Sequence, residues 1–389
     1  MATDRAPVIV VATILNENGP TGVQTHFHEF RRYLDQGYGS SLLVTPFDAP
    51  KWLVYPVFGV RKAIDLVSGP GSVWWYRFWH ASFLRMALRK VLSRIPDCVV
   101  YAQCPLSARA ALEARRASEQ RVIMVVHFNG SQADEWSDKG MIGSNGVVAR
   151  SIRRLESKVL PLLDGIVYVS NFMKRELERR IPDLRAVPNS VIPNFCRSAM
   201  TDAEKKWERV DIINVGTLEP RKNQQFLLEV LAHAKRRGRH YTMALVGDGP
   251  DRAKLERQAH MLGIEQQVRF AGYRPGAIEI MAGAQLYAHA AHLENMPLVL
   301  IEAMACGLPI LAPNVGGIPD IFRDGEGGYF WKLDDVPAAA EILMKSLDSP
   351  AELKRLSSTA RARFDRHFEA SQVADRLYGF LVRPAAHIL

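Results

Sequence analysis

Two acidic residues late in the chain, Glu294 and Glu302, are separated by seven residues. Glu294 opens the polar turn Glu294-Asn295-Met296-Pro297. Glu302 sits on the apolar run Leu298-Val299-Leu300-Ile301-Glu302-Ala303-Met304-Ala305, which gives way to Gly307-Leu308-Pro309. A carboxylate on a buried-looking helix is costly to desolvate unless something polar docks on it. A sugar, rich in hydroxyls, would serve. A cationic counterpart comes earlier, in Gly216-Thr217-Leu218-Glu219-Pro220-Arg221-Lys222-Asn223. There a strand ends, a glycine opens a loop, and two adjacent cations precede a helix. Helix N-termini offer amides and partial positive charge to phosphate. Arg grips two phosphate oxygens at once, and Lys acts as a point charge. Together they would stabilise a diphosphate leaving group. An isolated Arg-Lys pair is otherwise a solvated loop; its place at the carboxyl end of a strand argues for a site.

The first half repeats the arrangement in Pro20-Thr21-Gly22-Val23, where a ligand could press on the Gly22 backbone, although such a glycine also simply makes a turn. His127 ends the apolar run 121–126 and is followed by Phe128-Asn129-Gly130. At the carboxyl edge of a parallel strand it could donate to a sugar hydroxyl or move a proton; a satisfied core histidine is the equal alternative. Neither Gly247-x-Gly249 nor Gly316-Gly317 completes G-x-G-x-x-G, and no G-x-x-x-x-G-K-[ST] occurs, so nicotinamide and P-loop chemistry lose support.

These residues need elements to position them. Continuous apolar runs, such as Val8-Ile9-Val10-Val11-Ala12-Thr13-Ile14-Leu15, suit strands buried on both faces of a parallel sheet. The pattern predicts strands over 8–15, 41–45, 98–101, 121–126, 165–169 and 190–192. It restarts after a mixed-charge linker at 197–209, with strands over 211–215, 242–246, 268–270, 286–288 and 309–311. Helices are expected between them, among others over 23–36, 223–237, 335–348, 351–364 and 370–380. Alternating strands and helices mean an α/β chain with two doubly wound sheets. The expected domains are 1–200 and 201–365, with a C-terminal helix in 366–389 packing back on the first. Two such domains would place a ligand cleft between their strand ends.

At 389 residues the chain is too long for one ordinary core. It is 48% hydrophobic and 23% charged, the balance of a water-soluble globular protein. No apolar run reaches the roughly 18 residues of a membrane helix, and the N-terminal residues lack a signal-peptide pattern. Cys98, Cys104, Cys196 and Cys306 have no C-x-x-C spacing and read as free thiols of a reducing cytoplasm, with no zinc site. The net charge of +9 lies entirely in residues 1–200, which hold 26 basic and 17 acidic side chains. A basic face of this kind suits an anionic surface or a phosphorylated ligand. Within it, 51–96 carries Trp74-Trp75-Tyr76-Arg77-Phe78-Trp79-His80 and an Arg/Lys-rich continuation. This mix suits a membrane interface, internal packing, or single-stranded nucleic acid bound by stacking.

The assembled pattern resembles the retaining GT-B glycosyltransferases of family 4, the glycosyl transferases group 1. Its hallmark E-x7-E element is present as Glu294…Glu302. Asn214-Val215-Gly216-Thr217-Leu218…Arg221-Lys222-Asn223 looks like the family's phosphate loop. Leu245-Val246-Gly247-Asp248-Gly249-Pro250, Val268-Arg269-Phe270-Ala271-Gly272-Tyr273, Glu302-Ala303-Met304-Ala305-Cys306-Gly307-Leu308-Pro309 and Val315-Gly316-Gly317 follow in the family's order, and Val191-Ile192-Pro193-Asn194 is similar to its I-P-N segment. The sequence departs from the commonest pattern at Thr21-Gly22, at Phe128-Asn129, at Phe195-Cys196 and at Asp320.

The resemblance implies a nucleotide sugar held mainly by the second domain and an acceptor by the first, transfer with retention, and no metal. Arg221 and Lys222 would hold the diphosphate, and Glu302 the ribose. Glu294 and the backbone of Asn295, Met296, Pro297, Leu298 and Val299 would hold the sugar and a phosphate, with Gly216 opening the phosphate loop. Gly272 and Tyr273 would lie near the base. Gly22 would let the first domain approach the phosphates, and His127 would contact the reacting sugar. The expected donor is a UDP- or GDP-sugar. The expected acceptor is a glycan or a polyprenyl-diphosphate-linked sugar in surface polysaccharide, lipopolysaccharide or glycolipid synthesis. The expected place is the cytoplasm, peripheral to the inner face of the plasma membrane through 51–96, with no nucleic acid. A sugar-nucleotide epimerase of the same plan and a non-catalytic nucleotide-sugar-binding protein are the rival readings.

Overall fold

The computed structural model describes residues 7–19, 21–198 and 209–383. Pro20, the centre of the expected linker (199–208) and the last six residues of the expected C-terminal segment lie outside the described residues. The chain divides into two compact units: one of residues up to Pro193 together with those from Ala374 onward, the other of Asn194–Val373.

The first unit is a parallel sheet of β1 (Val8–Ala12), β2 (Ser41–Val44), β3 (Cys98–Ala102), β4 (Gln120–Val126), β5 (Gly165–Tyr168) and β6 (Asn189–Val191), in the order β2-β1-β3-β4-β5-β6. Its helices are α1 (Gly22–Tyr33), α2 (Lys51–Asp65), α3 (Gly69–Leu92), α4 (Pro105–Ala114), α5 (Gln132–Asp138), α6 (Val147–Val159) and α7 (Asn171–Arg180). The β1, β3, β4 and β5 side chains are buried on both faces, as their unbroken apolar runs require. Helix starts follow local chemistry. Thr21 and Gln24 form a capping box before α1, and Ser68 caps α3 with Pro70 in its first turn.

The second unit is a parallel sheet of β7 (Val210–Val215), β8 (Met243–Val246), β9 (Val268–Gly272), β10 (Ala284–Ala288), β11 (Ile310–Pro313) and β12 (Gly328–Trp331), in the order β12-β11-β10-β7-β8-β9. Around it lie α8 (Gln224–Arg236), α9 (Arg252–Met261), α10 (Ala277–Met281), α11 (Leu298–Ala305), α12 (Ile318–Ile321), α13 (Val336–Leu347) and α14 (Pro350–His367). Helix α15 (Ala370–Val382) crosses into the first unit. There Asp375 accepts from the Tyr33 hydroxyl at 3.0 Å, and Arg121 donates to the Leu381 carbonyl at 2.7 Å.

Each order contains one point where the chain leaves a strand and resumes on its other side: β1/β3 in the first sheet and β7/β10 in the second. Doubly wound sheets bind ligands outside the carboxyl ends of the strands at such points. Three details differ from expectation. Helix α1 stops at Tyr33 because the chain turns wide through Gly37, whose φ of 105° suits glycine. Strand β12 was not expected. The segment 51–96 is two packed helices with aromatics on both their inner and outer faces. Trp75, Trp79, Phe58 and Phe83 pack internally, with Phe58 stacked on His80 at 4.1 Å, whereas Trp52, Tyr55, Trp74 and Phe78 are exposed. No described helix is long and apolar enough to cross a membrane.

Candidate active site

In the second unit the switch point is sealed by side chains. Where the β7–β10 ladder ends, the Tyr287 hydroxyl donates to the Val215 carbonyl at 3.0 Å and accepts from its amide at 3.3 Å. The Asn214 amide donates to the Ala288 carbonyl at 2.8 Å. Beyond this seal rise two loops, 216–223 after β7 and 289–297 after β10. The ends of β8 and β9 press against the first: Gly247 donates to the Gly272 carbonyl at 2.9 Å, and a Cβ on Gly247 would lie 1.9 Å from the Gly216 oxygen. Only glycine allows that approach.

The two loops are clasped by charge. Asn223, in the left-handed region at φ 51°, turns the chain into α8. From that turn Lys222 Nζ reaches Glu294 Oε1 at 2.5 Å, and Arg221 reaches the same oxygen at 3.3 Å. The Arg221 carbonyl accepts from the His292 amide at 3.2 Å. The second loop is held from behind, because the Glu294 carbonyl accepts from Gly317 at 2.9 Å and the Met296 carbonyl from the Asn194 amide at 2.8 Å.

Glu294 is 7% exposed. Burial opposes its charge, but Lys222, His289 and Arg221 outweigh it and hold the carboxyl far below its usual range. Arg221 also pairs with Glu219 at 2.9 Å, so two cations face two carboxylates. His289, directly after β10, places Nε2 at 3.6 Å from Glu294 Oε1. Among the described residues neither of its ring nitrogens has a hydrogen-bond partner. Burial lowers its pKa against the pull of Glu294. Sequence reasoning missed His289, although it follows its strand as His127 follows β4.

Glu302 lies on α11. Burial, with Glu302 and Glu294 adding to it, raises the Tyr287 phenol far above its usual range. Helix α11 starts after Pro297 with no side-chain cap, so the amides of Leu298 and Val299 lie beyond the helix's own hydrogen bonds. Gly272 ends β9, and Tyr273 after it is 61% exposed. Thus Arg221, Lys222 and Glu294 touch directly, Gly216 and Gly272 join through Gly247, and Asn295, Met296 and Pro297 continue the Glu294 loop.

The first unit carries Gly22 and His127. Gly22 opens α1; one turn on, buried His26 sets its ring edge-on to His127 at 4.7 Å, with Nε2 3.0 Å from the Tyr101 hydroxyl. His127 Nε2 lies 3.3 Å from Gln103 Oε1, and the Gln103 amide nitrogen donates to the Tyr101 carbonyl at 3.3 Å. That second bond orients the amide so that its oxygen faces His127. Nε2 therefore carries the proton and Nδ1 the lone pair. Burial, helped by His26, keeps His127 neutral, well below its ordinary pKa. Gln103 gave no sequence signal: it is a lone amide after β3.

This geometry has relatives. The family model for Glycosyltransferase Family 4 matches residues 20–196, and that for Glycosyl transferases group 1 matches 199–363, so together they run through both units. The chain is a family 4 glycosyltransferase of the GT-B class. It is 30% identical over 134 residues to N-acetyl-alpha-D-glucosaminyl L-malate synthase of Bacillus anthracis, covering 34% of this chain and 35% of that protein. It is 27% identical over 279 residues to the GDP-mannose-dependent alpha-(1-6)-phosphatidylinositol monomannoside mannosyltransferase of Mycolicibacterium smegmatis, covering 67% of this chain and 69% of the relative. The chain thus spans about a third of the first relative's length and about two thirds of the second's. Among solved structures, Anabaena HepE with UDP and glucose aligns at a TM-score of 0.68 and 16% identity, covering 97% of this chain and 99% of that one. Sucrose-phosphate synthase from Thermosynechococcus elongatus aligns at 0.70 and 16%, covering 96% and 97%. At that identity these two likenesses speak for the fold.

Proposed function

We propose that this glycosyltransferase moves a hexose-type sugar, with retention, from a UDP- or GDP-sugar to a glycan or polyprenyl-diphosphate-linked acceptor in surface polysaccharide or glycolipid synthesis. The observation that carries the reading is the clasp of Lys222 and Arg221 on Glu294 at the β7/β10 switch point. A diphosphate entering there exchanges with the carboxylates for the cations. Lys222 and Arg221 then meet the charge that grows on the leaving diphosphate, preorganised for it by the clasp. Glu294, released from the cations, accepts from sugar hydroxyls, and Glu302 from the ribose. Amides from Asn295 to Val299 take a phosphate oxygen; Gly216 and Gly272 let the nucleotide lie against the backbone, with Tyr273 by the base. Gly22 and neutral His127 serve the reacting sugar, His127 offering a donor and a lone pair without a competing charge. No metal is assigned to the reaction.

The donor base is put at UDP or GDP because HepE was solved with UDP and the mycobacterial relative is named for GDP-mannose. The exposed aromatics and cations of α2 and α3 support work at an anionic membrane surface on the cytoplasmic side. The decisive experiment is a thermal-shift panel of UDP- and GDP-sugars, followed by product analysis. A ligand of the folded state raises the melting point. A sugar nucleotide that stabilises the wild type and not Lys222→Ala supports the site. No shift with any member, or an inverted anomeric centre in the product, sinks the reading.

A further inference from the structure

A groove of about 350 Å³ in the first unit belongs to none of the machinery above. It runs between α3, α4 and α6. One end is apolar: Trp74 and Phe78, one helical turn apart, stack at 5.3 Å and 12° between rings, facing Val147 and Val148. Trp74, Phe78 and Val147 are exposed, and Val148 is half-buried. The other end is cationic. Arg85 and Arg109 each give one nitrogen to Glu113, at 2.7 and 2.6 Å. Arg77, buried along the wall, adds a third guanidinium. Three cations thus line the groove against one lining acid. From residue 74 to residue 85 is roughly 16 Å along the helix axis. Aromatic wall and arginine end are therefore a chain's length apart.

Apolar surface and excess positive charge in one trough complement a molecule with a chain and an anionic head. We propose that the groove seats one anionic phospholipid of the membrane at which the enzyme works. Its phosphate would bridge Arg85 and Arg109, whose forks keep further donors beside Glu113, and its chain would lie on Trp74 and Phe78. Trp74 lies in the second turn of α3, and the α2–α3 turn that precedes this helix carries Leu66 and Val67, 89% and 87% exposed. The proposal rests on the membrane-surface reading and makes it specific: the turn enters the interface, and the groove selects a head group.

The test uses the full-length protein and two probes. The first is dihexanoyl phosphatidylglycerol, titrated as monomer against dihexanoyl phosphatidylcholine. The second is flotation with vesicles containing phosphatidylglycerol. The wild type is expected to bind the phosphatidylglycerol monomer at least tenfold more tightly than the phosphatidylcholine monomer. Ala81→Trp, which fills the groove without changing charge, is expected to abolish monomer binding. Ser151→Trp does so from the facing helix should the first variant not fold. Arg85→Glu is expected to erase the head-group preference. Leu66→Asp with Val67→Asp should stop flotation and leave monomer binding intact. Equal binding of the two monomers, or binding unchanged in both filled variants, overturns the groove. Self-association lost on filling also overturns it, in favour of a second copy as occupant. Flotation without monomer binding removes the groove and keeps the membrane reading; monomer binding without flotation does the reverse.

Discussion

The carboxyl edges of the two sheets occupy equivalent places and are built from opposite materials. At β1/β3 and its neighbour β4 the groups are neutral: Tyr101, Gln103 and a His127 held uncharged by burial. At β7/β10 they are charged: Arg221 and Lys222 against Glu294 and Glu219. Both edges contain a buried tyrosine hydroxyl, Tyr101 bonded to His26 and Tyr287 to the Val215 backbone. The topology therefore supplies the position, and the side chains decide the ligand. A charged clasp exchanges with phosphate. A neutral one can pair with hydroxyls without paying twice for desolvating charge.

The largest expected effect comes from breaking the charged edge. Glu294→Ala leaves Lys222 and Arg221 facing each other without their shared carboxylate. Transfer should fall by about 10²–10³-fold, the scale for one lost electrostatic stabiliser. Stability should fall by about 3–5 kcal/mol, as when one partner of a buried pair is removed. Lys222→Ala should match the loss of turnover. Steady-state kinetics and denaturant melts check both, and near-normal turnover in the two variants would move the site elsewhere. The carboxyl is depressed in the folded state, so its stabilisation is present above the unfolded pKa of about 4.3 and is lost as pH falls below it.

Next in size is an acid effect confined to the first unit. His80 is buried between Phe58 and Tyr76, its Nδ1 donating to the Tyr76 carbonyl at 2.9 Å. Burial drives its pKa down to about 4, with nearby Arg61 adding to the fall. The unfolded chain binds this proton from about pH 6.5. Stability from a neutral His80 is thus full above pH 6.5 and is lost as pH falls toward 4, about 3 kcal/mol in all at about 1.4 per pH unit. His80→Phe keeps the stacked ring and removes the titration. The difference between the two stability–pH curves should rise across that window, and parallel curves would show that His80 does not titrate in it.

How much of this was legible in sequence follows from what each feature exposes to a pattern search. Strands such as 121–126 were legible because double-sided burial makes their apolar runs continuous. Glu294 stood out as a carboxylate paired with Glu302 on an apolar run, costly to bury unless something polar docks there, and Arg221 and Lys222 as adjacent cations in a strand-to-helix loop. Strand β12 was not legible: Tyr329, Phe330 and Trp331 are strand formers, but the run is only four residues long and opens on Gly328. Gly247 and Gly249 fail the dinucleotide fingerprint, so nothing in their spacing showed that Gly247 is needed for contact with Gly216, which is a three-dimensional fact. The 51–96 stretch stayed ambiguous because both its inward and outward faces carry aromatics, which leaves no amphipathic contrast to read.

A smaller effect sharpens the neutral edge. Gln103 determines which nitrogen of His127 carries the proton. Gln103→Glu replaces an uncharged acceptor with a carboxylate at the same distance, which favours imidazolium and raises the His127 pKa. Turnover at neutral pH should fall about a hundredfold, the low end of what a positioned acid–base group contributes. The acid limb of the pH profile should move upward. Gln103→Leu should lower turnover without moving that limb. A merely structural Gln103 would lower stability in both variants and leave the limb in place.

The least effect is expected at the rim. Tyr273 is exposed, so it can stack on a base only by being ordered as the ligand arrives, and ordering takes back part of what stacking gives. Contact with the base is also made equally before and during bond breaking. It contributes to KM rather than to kcat. Tyr273→Ala should therefore raise the donor KM a few-fold, roughly 1 kcal/mol or less by the aromatic-pair scale, and leave kcat unchanged. Phe at this position should restore the wild-type value, since stacking needs the ring and not the hydroxyl. A fall in kcat instead would place Tyr273 against the reacting sugar. The charged edge would then extend its work to a residue that makes no charge, and the division between the two edges would not hold.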